Sequence, residues 1–337
     1  MRSAEPLPDE EPAVFGRADL EADPGLRFSA RALEPVAITP YLTGLFGPHR
    51  LSRAELLRHK PGRRALIGYT LERPGGTLRV LGKVRAKGAD VRTHELQTFL
   101  WRRGFGEASE DGVSVAEPLG VLAPFRMTLQ RAVPGANLET LLHPEATPLM
   151  RRVAEAVFKL HRTAAPLRRR HTVADELAVL RRQLGAVGDA HPPYAARLAR
   201  VLAACARLAA GLPEAASATL HRDFYPEQLL VKGGRLYLLD LDLCAQGDPA
   251  LDIGNFAAHL REHALRTCGD ADALAGLERT FSAHYCSVAG ISAARVDAYA
   301  TLSLARHVAI SQRLPERRHL TGALLALTET RLGLPLR

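Results

Sequence analysis

Lysine is scarce in this chain: of 45 basic residues only five are lysine (Lys60, Lys83, Lys87, Lys159 and Lys232), and the rest are arginine. The arginines are spread along the whole length among abundant Ala and Leu, a pattern of codon bias rather than of a binding stripe. The densest run, Arg168-Arg169-Arg170-His171, has no aromatic residues interleaved for base stacking. It reads as a solvated loop between helices. The net charge of +9 therefore carries no expectation of a nucleic-acid partner. Cysteine is also sparse: Cys205, Cys244, Cys268 and Cys286 form no CxxC pair, which argues against a zinc site or disulfide framework and for free, mostly packed thiols. No apolar run reaches the roughly 18 residues of a membrane span. The opening MRSAEPLPDEEP has acids and prolines where a signal peptide has an apolar core. A cytoplasmic protein with no membrane partner is expected.

What remains is an ordinary globular composition, 47% hydrophobic and 24% charged, on a chain long enough for two cores. Residues 1–25, rich in Pro, Asp and Glu, are expected to be poorly ordered. With a short helix around Ala32–Phe46 they make an N-terminal extension, residues 1–48. From 49 to 131 the texture is that of an antiparallel sheet. Arg64–Glu72 and Thr77–Ala86 are strand-like runs flanking the turn Arg73-Pro74-Gly75-Gly76. A helix capped by Asp90 follows, then short strands near Gly120–Leu122 and Arg126–Gln130. From 132 to 337 the period is helical: 147–162, 173–186, 194–211, 252–266, 271–288 and 293–313. A sheet-rich lobe followed by a helical lobe is an α+β arrangement with a natural cleft.

One stretch interrupts the helices. Residues 220–242 read LHRDFYPEQLLVKGGRLYLLDLD. Leu229–Lys232 and Arg235–Leu239 are strand runs joined by Gly233-Gly234, a pair suited to a tight hairpin turn. That register sets Lys232 opposite Arg235 and Leu229 opposite Leu238. Gln228 and Asp240 then share the open end, and Asp223 lies in the loop just before. An acid, an amide and a second acid converge on one mouth, a frame for a divalent cation held through oxygen.

HRDFYPEQ resembles the kinase catalytic loop H-R-D-x-x-x-x-N, with Asp240 where the metal-binding aspartate of D-F-G falls. It is more similar to the aminoglycoside phosphotransferase and choline kinase family of small-molecule kinases. There the loop reads like HGDFHPGN and the metal aspartate lies in an IDFD-like strand, here Leu239-Asp240-Leu241-Asp242. GDPALDIGNF at 247–256 also looks like this family, in which an aspartate matching Asp252 steadies the catalytic loop. The resemblance covers residues 50–310, most strongly 220–256. It implies a two-lobed protein-kinase-like fold, ATP and Mg²⁺ as cofactors, and a small-molecule hydroxyl acceptor: a sugar, an amino alcohol or an aminoglycoside-like compound. By resemblance Asp223 orients the hydroxyl and takes its proton, Asp240 binds Mg²⁺, and Gln228 reaches a second metal or holds the loop. His221 is read as packed and hydrogen-bonded, Tyr225 as packing or acceptor-lining. Asp242 is a second metal contact or a solvated strand end.

Kinases also place a cation on the α- and β-phosphates. Lys83 stands mid-strand on the face of Leu81, an awkward place for an ammonium without a task. Glu95, between Val91 and Phe99 on the following helix, is its expected partner. The bland alternative is a solvent-facing Lys83 and a local Arg92–Glu95 pair. Adenine is expected on backbone groups of the linker Gln130–Val133, chiefly Gln130 and Ala132.

The chain departs from the family in three places. Gln228 stands where Asn is usual, Arg222 replaces a frequent glycine, and no G-x-G-x-x-G occurs near 55–70. A protein kinase is excluded by spacing: eleven residues separate Asp240 from Asp252 and no A-P-E follows, which leaves no room for an activation loop. The alternative of another class is a catalytically weak or inactive nucleotide-binding pseudokinase with a regulatory role, for which Gln228 is the only support.

Overall fold

The computed structural model describes residues 16–335. The described residues form two compact units, one running to Trp101 and including Ala116–Val133, the other made of Arg102–Val115 and everything from Pro134 on. The expected disorder of residues 1–25 falls partly on residues 1–15, outside those described. Over 16–25 it is corrected. Helix α1 (Arg17–Glu21) buries Leu20 completely. The Asp23 carboxylate accepts from Gly62 N–H at 2.7 Å and lies 2.8 Å from His59 Nε2. An apolar anchor and a buried carboxylate outweigh the disorder-prone composition.

The first unit continues with α2 (Pro35–Phe46), β1 (Arg50–Lys60), β2 (Arg64–Arg73), β3 (Gly76–Arg85) and α3 (Val91–Leu100). After β4 (Val113–Val115), which belongs to the second unit, come β5 (Pro118–Leu122) and β6 (Met127–Arg131). The sheet order is β1-β2-β3-β6-β5, antiparallel throughout. Strand side chains alternate between faces. Ile67, Tyr69, Leu71, Leu78, Val80 and Val84 fill one face against Leu20, Leu26, Ile38 and Leu42. Tyr69 hydroxyl donates to Ala32 carbonyl at 3.0 Å. The N-terminal segment read as an extension is thus the cover of this sheet. Each such side chain, fully buried, contributes about 1.5–3 kcal/mol. Strand β1 was not anticipated. Of its eleven residues only Leu56 is buried, and register shifts at Leu51/Arg53 and Leu56/Arg58 break the alternation that marks a strand.

The second unit is mainly helical: β7 (Ala136–Asn137), α4 (Thr147–Arg162), β8 (Arg170–His171), α5 (Val173–Ala190), α6 (Pro192–Ala210), β9 (Ala218–Leu220), β10 (Leu229–Lys232), β11 (Arg235–Leu238), β12 (Ala245–Gly247), α7 (Ala250–Cys268), α8 (Ala275–Ala289), α9 (Ala293–Arg313) and α10 (Thr321–Arg331). Every helical run expected beyond residue 132 is present. Helix α10 was missed; its Glu329 is completely buried and held by Arg197 of α6 through two bonds of 3.0 and 2.6 Å. Small sheets β4-β11-β10-β7 and β8-β12-β9 thread between the helices. All four cysteines are free, with Cys205 and Cys244 buried, Cys286 half-buried and Cys268 exposed. No helix among the described residues is long and apolar enough to cross a membrane.

Helices α7 and α9 meet at Gly254, where a Cβ would come within 2.4 Å of Ala300 backbone nitrogen. Rigid backbone cannot yield as a side chain can. Gly254→Ala is expected to destabilise the protein by about 1–3 kcal/mol or more. Gly185, in the middle of α5, has nothing within 4 Å of such a Cβ. Gly185→Ala is expected to stabilise by about 0.5–1 kcal/mol. Urea unfolding of both variants measures the contrast. Equal effects would contradict the packing described.

Candidate active site

The hairpin forms in the expected register, Leu229 opposite Leu238 and Lys232 opposite Arg235. Gly233 and Gly234 take φ of 53° and 78°, the two positive values that a type I′ turn requires. At the open end Leu239 N–H donates to Gln228 carbonyl at 2.9 Å, so Asp240 lies one residue beyond the last pair. Asp240 is itself left-handed, φ 50° and ψ 61°, and the chain then turns through Leu241–Leu243. A non-glycine residue in this region is strained, and such strain concentrates at functional sites.

The loop before the hairpin is fixed by one carboxylate. Asp252, near the start of α7, is completely buried. Its Oδ2 accepts from His221 N–H and its Oδ1 from Arg222 N–H, both at 2.7 Å. His161 Nε2 of α4 approaches Oδ2 at 2.9 Å, and Tyr285 hydroxyl lies 2.5 Å from His161 Nδ1. Burial works against the Asp252 charge, but His161 and the amide bonds outweigh it and hold its carboxyl below the ordinary aspartate range. The His221 ring, completely buried as expected, donates from Nε2 to Leu239 carbonyl at 2.7 Å and ties loop to hairpin. Phe224 packs on Phe256 of α7, ring centroids 5.3 Å apart. Asn255 Nδ2 donates to Phe224 carbonyl at 2.9 Å, and Arg306 of α9 donates to Asn255 Oδ1.

Asp223 sits between these clamps. Burial raises its carboxyl above the ordinary aspartate value; His221 and Arg306 oppose that shift, and Asp240 and Asp252 add to it. Asp240 is thus near enough for its charge to act on Asp223. Gln228 Nε2 donates to Tyr225 hydroxyl at 3.0 Å, which leaves Oε1 as the atom able to face a cation. Tyr225 stacks on His259, centroids 4.3 Å apart and planes 14° apart.

No group of three or more His, Cys, Asp or Glu among the described residues is arranged to hold a metal ion. A magnesium ion keeps several waters and takes one or two protein oxygens alongside phosphate. Asp240 and Gln228 Oε1 are oxygen donors of the chemical type such an ion takes.

The first unit carries the remaining candidates. Lys83 pairs across the sheet with Leu66 and Thr128, on the face opposite the core. Glu95 is exposed on α3, as is Val91; the inward face of that helix is Leu96, Gln97 and Leu100. Of the face expected around Glu95, Val91 is therefore exposed and Phe99 half-buried. Gln130 is buried, and its Oε1 lies 3.4 Å from Gln97 Nε2, which also donates to Ala116 carbonyl at 2.6 Å. Ala132 N–H donates to Arg79 carbonyl at 2.9 Å, so that amide is engaged by the sheet.

Sequence reasoning named Asp252 but missed its partner His161 and the Tyr285 behind that ring, and missed Asn255 and Arg306. Asn255 stood within the quoted GDPALDIGNF. Arg306, on a helix 51 residues further on, had no local signal.

Asp252→Ala would orphan two buried amides and His161. The expected loss of stability is about 3–5 kcal/mol. Because the native carboxyl titrates below its unfolded value, its contribution is complete above the ordinary aspartate range and fades as pH falls through the native value. Denaturation across acid pH should show that slope in the wild type and a flatter one in the variant. Parallel curves would remove Asp252 from this role.

The model of a family described as "Phosphotransferase enzyme family" matches residues 88–291, more than half of the chain. No curated protein sequence matches. Among solved structures, a choline/ethanolamine kinase family protein from Mesorhizobium loti is 18% identical, with a TM-score of 0.57 over 91% of this chain and 96% of that one. Spectinomycin phosphotransferase in complex with ADP and spectinomycin is 12% identical, TM-score 0.62, over 88% and 98%. An aminoglycoside phosphotransferase in ternary complex with AMP-PNP and hygromycin B is 17% identical, TM-score 0.59, over 88% and 98%. At these identities the likeness establishes a kinase-like fold, and with the family match over the catalytic loop and hairpin, the chain belongs to the phosphotransferase enzyme family of the aminoglycoside phosphotransferases and choline kinases.

Proposed function

We propose that this chain is an ATP- and Mg²⁺-dependent kinase that moves the γ-phosphoryl group to a hydroxyl of a small molecule in the cytoplasm. The observation that carries the reading is the cross-linked frame around Asp223 and Asp240. Asp252 holds the loop by two amides, and His221 joins that loop to the strand end bearing Asp240. Relatives of this fold bind AMP-PNP with hygromycin B and ADP with spectinomycin, which supports nucleotide and small-molecule ligands here. Phosphoryl transfer passes through a loose transition state, so the protein mainly positions groups and balances charge. Asp223 accepts the hydroxyl proton at its carboxylate and orients the oxygen in line. Its raised affinity for protons suits a base that must hold one briefly. Asp240 and Gln228 would hold Mg²⁺, which would supply positive charge to the nucleotide phosphates. Lys83, with Glu95 as its counter-charge, is the cation for the α- and β-phosphates. Adenine would lie along Gln130–Val133, using groups other than the Ala132 amide that Arg79 occupies.

Asp223→Asn is expected to lower turnover by about 10²–10⁴ while ATP still binds. Asp240→Ala should weaken MgATP binding and turnover together. Titrating ATP with and without Mg²⁺, then measuring steady-state phosphorylation of an acceptor panel with radiolabelled ATP, checks both. Turnover that persists undiminished in excess chelator would overturn the metal assignment.

Gln228→Asn should stay within about tenfold of wild type, or 1.4 kcal/mol in barrier, because both amides offer a carbonyl oxygen to a hard cation. Gln228→Ala should lose much more. Steady-state kinetics on the three proteins decide between the kinase and the inactive regulatory reading. An inert wild type that gains activity on restoring Asn would establish the latter.

A further inference from the structure

Arg222 is a costly residue for its place. Its backbone is left-handed, φ 69°, where a glycine would be at ease. Its guanidinium is half-buried, and burial holds its pKa below the ordinary arginine range. Its Nε is buried with no hydrogen-bond partner. Its Nη2 lies 3.5 Å from His171 Nε2. That nitrogen also lies 2.5 Å from Glu176 Oε1. A carboxylate needs a donor, so Nε2 carries its proton toward Glu176 and cannot accept from Arg222. The Arg222–His171 approach therefore sets donor against donor.

Neighbouring charge does not settle the account. Arg169 and Arg306 repel Arg222, whereas Glu176 and Asp252 attract it. Glu176 is already taken by His171 and by Arg306 at 3.5 Å. Asp252 is committed to two amides and His161. Asp175 is tied to Thr172 N–H and Oγ1, both at 2.8 Å, as a helix cap. Arg169 adds a second guanidinium: its Nη1 donates to Asp242 carbonyl at 3.2 Å, which keeps it beside the turn after Asp240, while the side chain stays exposed. Two guanidiniums thus flank the catalytic loop without a carboxylate of their own among the described residues.

The geometry points to an oxyanion site: Arg222 and Arg169 receive a phosphate or carboxylate group carried by the acceptor whose hydroxyl is presented to Asp223. This rests on the kinase reading only in letting Asp223 mark the hydroxyl. The guanidinium fork matches both oxyanions, and the orphaned Nε gains the acceptor it lacks. The substrate class becomes a hydroxylated acid or a sugar phosphate. A polycationic aminoglycoside or a quaternary amino alcohol would meet like charge at this position.

The test uses the full chain saturated with MgADP, so that nucleotide phosphate contacts are already filled. Inorganic phosphate, glycerol 3-phosphate, glycerate and uncharged glycerol are titrated by calorimetry. The organic anions are expected to bind and glycerol is not; the phosphate ester and the carboxylate arms identify which anion is preferred. Arg222→Gln should weaken anion binding by at least about tenfold relative to any change in MgADP affinity. Arg169→Ala, at an exposed side chain, should weaken it by about three- to tenfold and keeps the test alive if Arg222→Gln fails to fold. No anion binding, or binding equal in wild type and both variants, overturns the site. Binding of inorganic phosphate with neither organic anion overturns its assignment to the acceptor. If MgADP itself does not bind, the kinase reading fails, and the same titration without nucleotide still judges the oxyanion site.

Discussion

A single buried carboxylate holds the centre of this protein together. Asp252 has no exposed surface, and an ion in that position is costly unless every lone pair is used. Two backbone amides and His161 supply three donors to them. Three segments are thereby fixed against one another: the end of α4, the loop after β9, and the start of α7. Arg222 and Asp240, one on the loop and one at the hairpin end, are both left-handed without being glycine. Such conformations persist only where surroundings over-determine them. Asp252 supplies that for Arg222, and the His221–Leu239 bond carries the constraint across to Asp240.

Local chemistry made much of this legible in the sequence. Two adjacent glycines set the hairpin turn, and from the turn alone the pairing of Leu229 with Leu238 followed. Helices with clear apolar periodicity were placed within a few residues, α4 without error. Strand β1 was not, because bulges scramble its alternation and its face is mostly exposed. The N-terminal segment misled through composition. Proline and acids dominate it, yet a few apolar residues, Leu20, Leu26, Ile38 and Leu42, are enough to cap a sheet face. Helix α10 shows the opposite difficulty: a buried Glu329 looks polar in sequence until Arg197, far away in the chain, is seen beside it.

The positions of the candidate site residues were legible to the same depth. Asp223, Gln228 and Asp240 fall within one supersecondary unit, so spacing and turn chemistry placed them. Lys83 could be placed on its strand face by alternation. Glu95 could not be assigned so simply: four-residue spacing groups Val91, Glu95 and Phe99, but the core takes the neighbouring stripe of Leu96, Gln97 and Leu100. Arg306 was invisible because its meaning arises only when α9 lies against α7 and its guanidinium meets Asn255. Long-range charge balance of this sort has no period and no motif.

Gln228 is where the two levels meet. As a sequence feature it is a lapse from asparagine and an argument for inactivity. In the fold its extra methylene lets Nε2 reach the Tyr225 hydroxyl, and Tyr225 is in turn held flat on His259. Long polar side chains lose conformational entropy when they are fixed, and an unsupported glutamine would present its oxygen to a cation only part of the time. Pinned at the nitrogen end, this one presents Oε1 with fewer alternatives. In the proposed kinase the glutamine and the tyrosine two residues after Asp223 would therefore work as one feature, the phenol holding the longer amide.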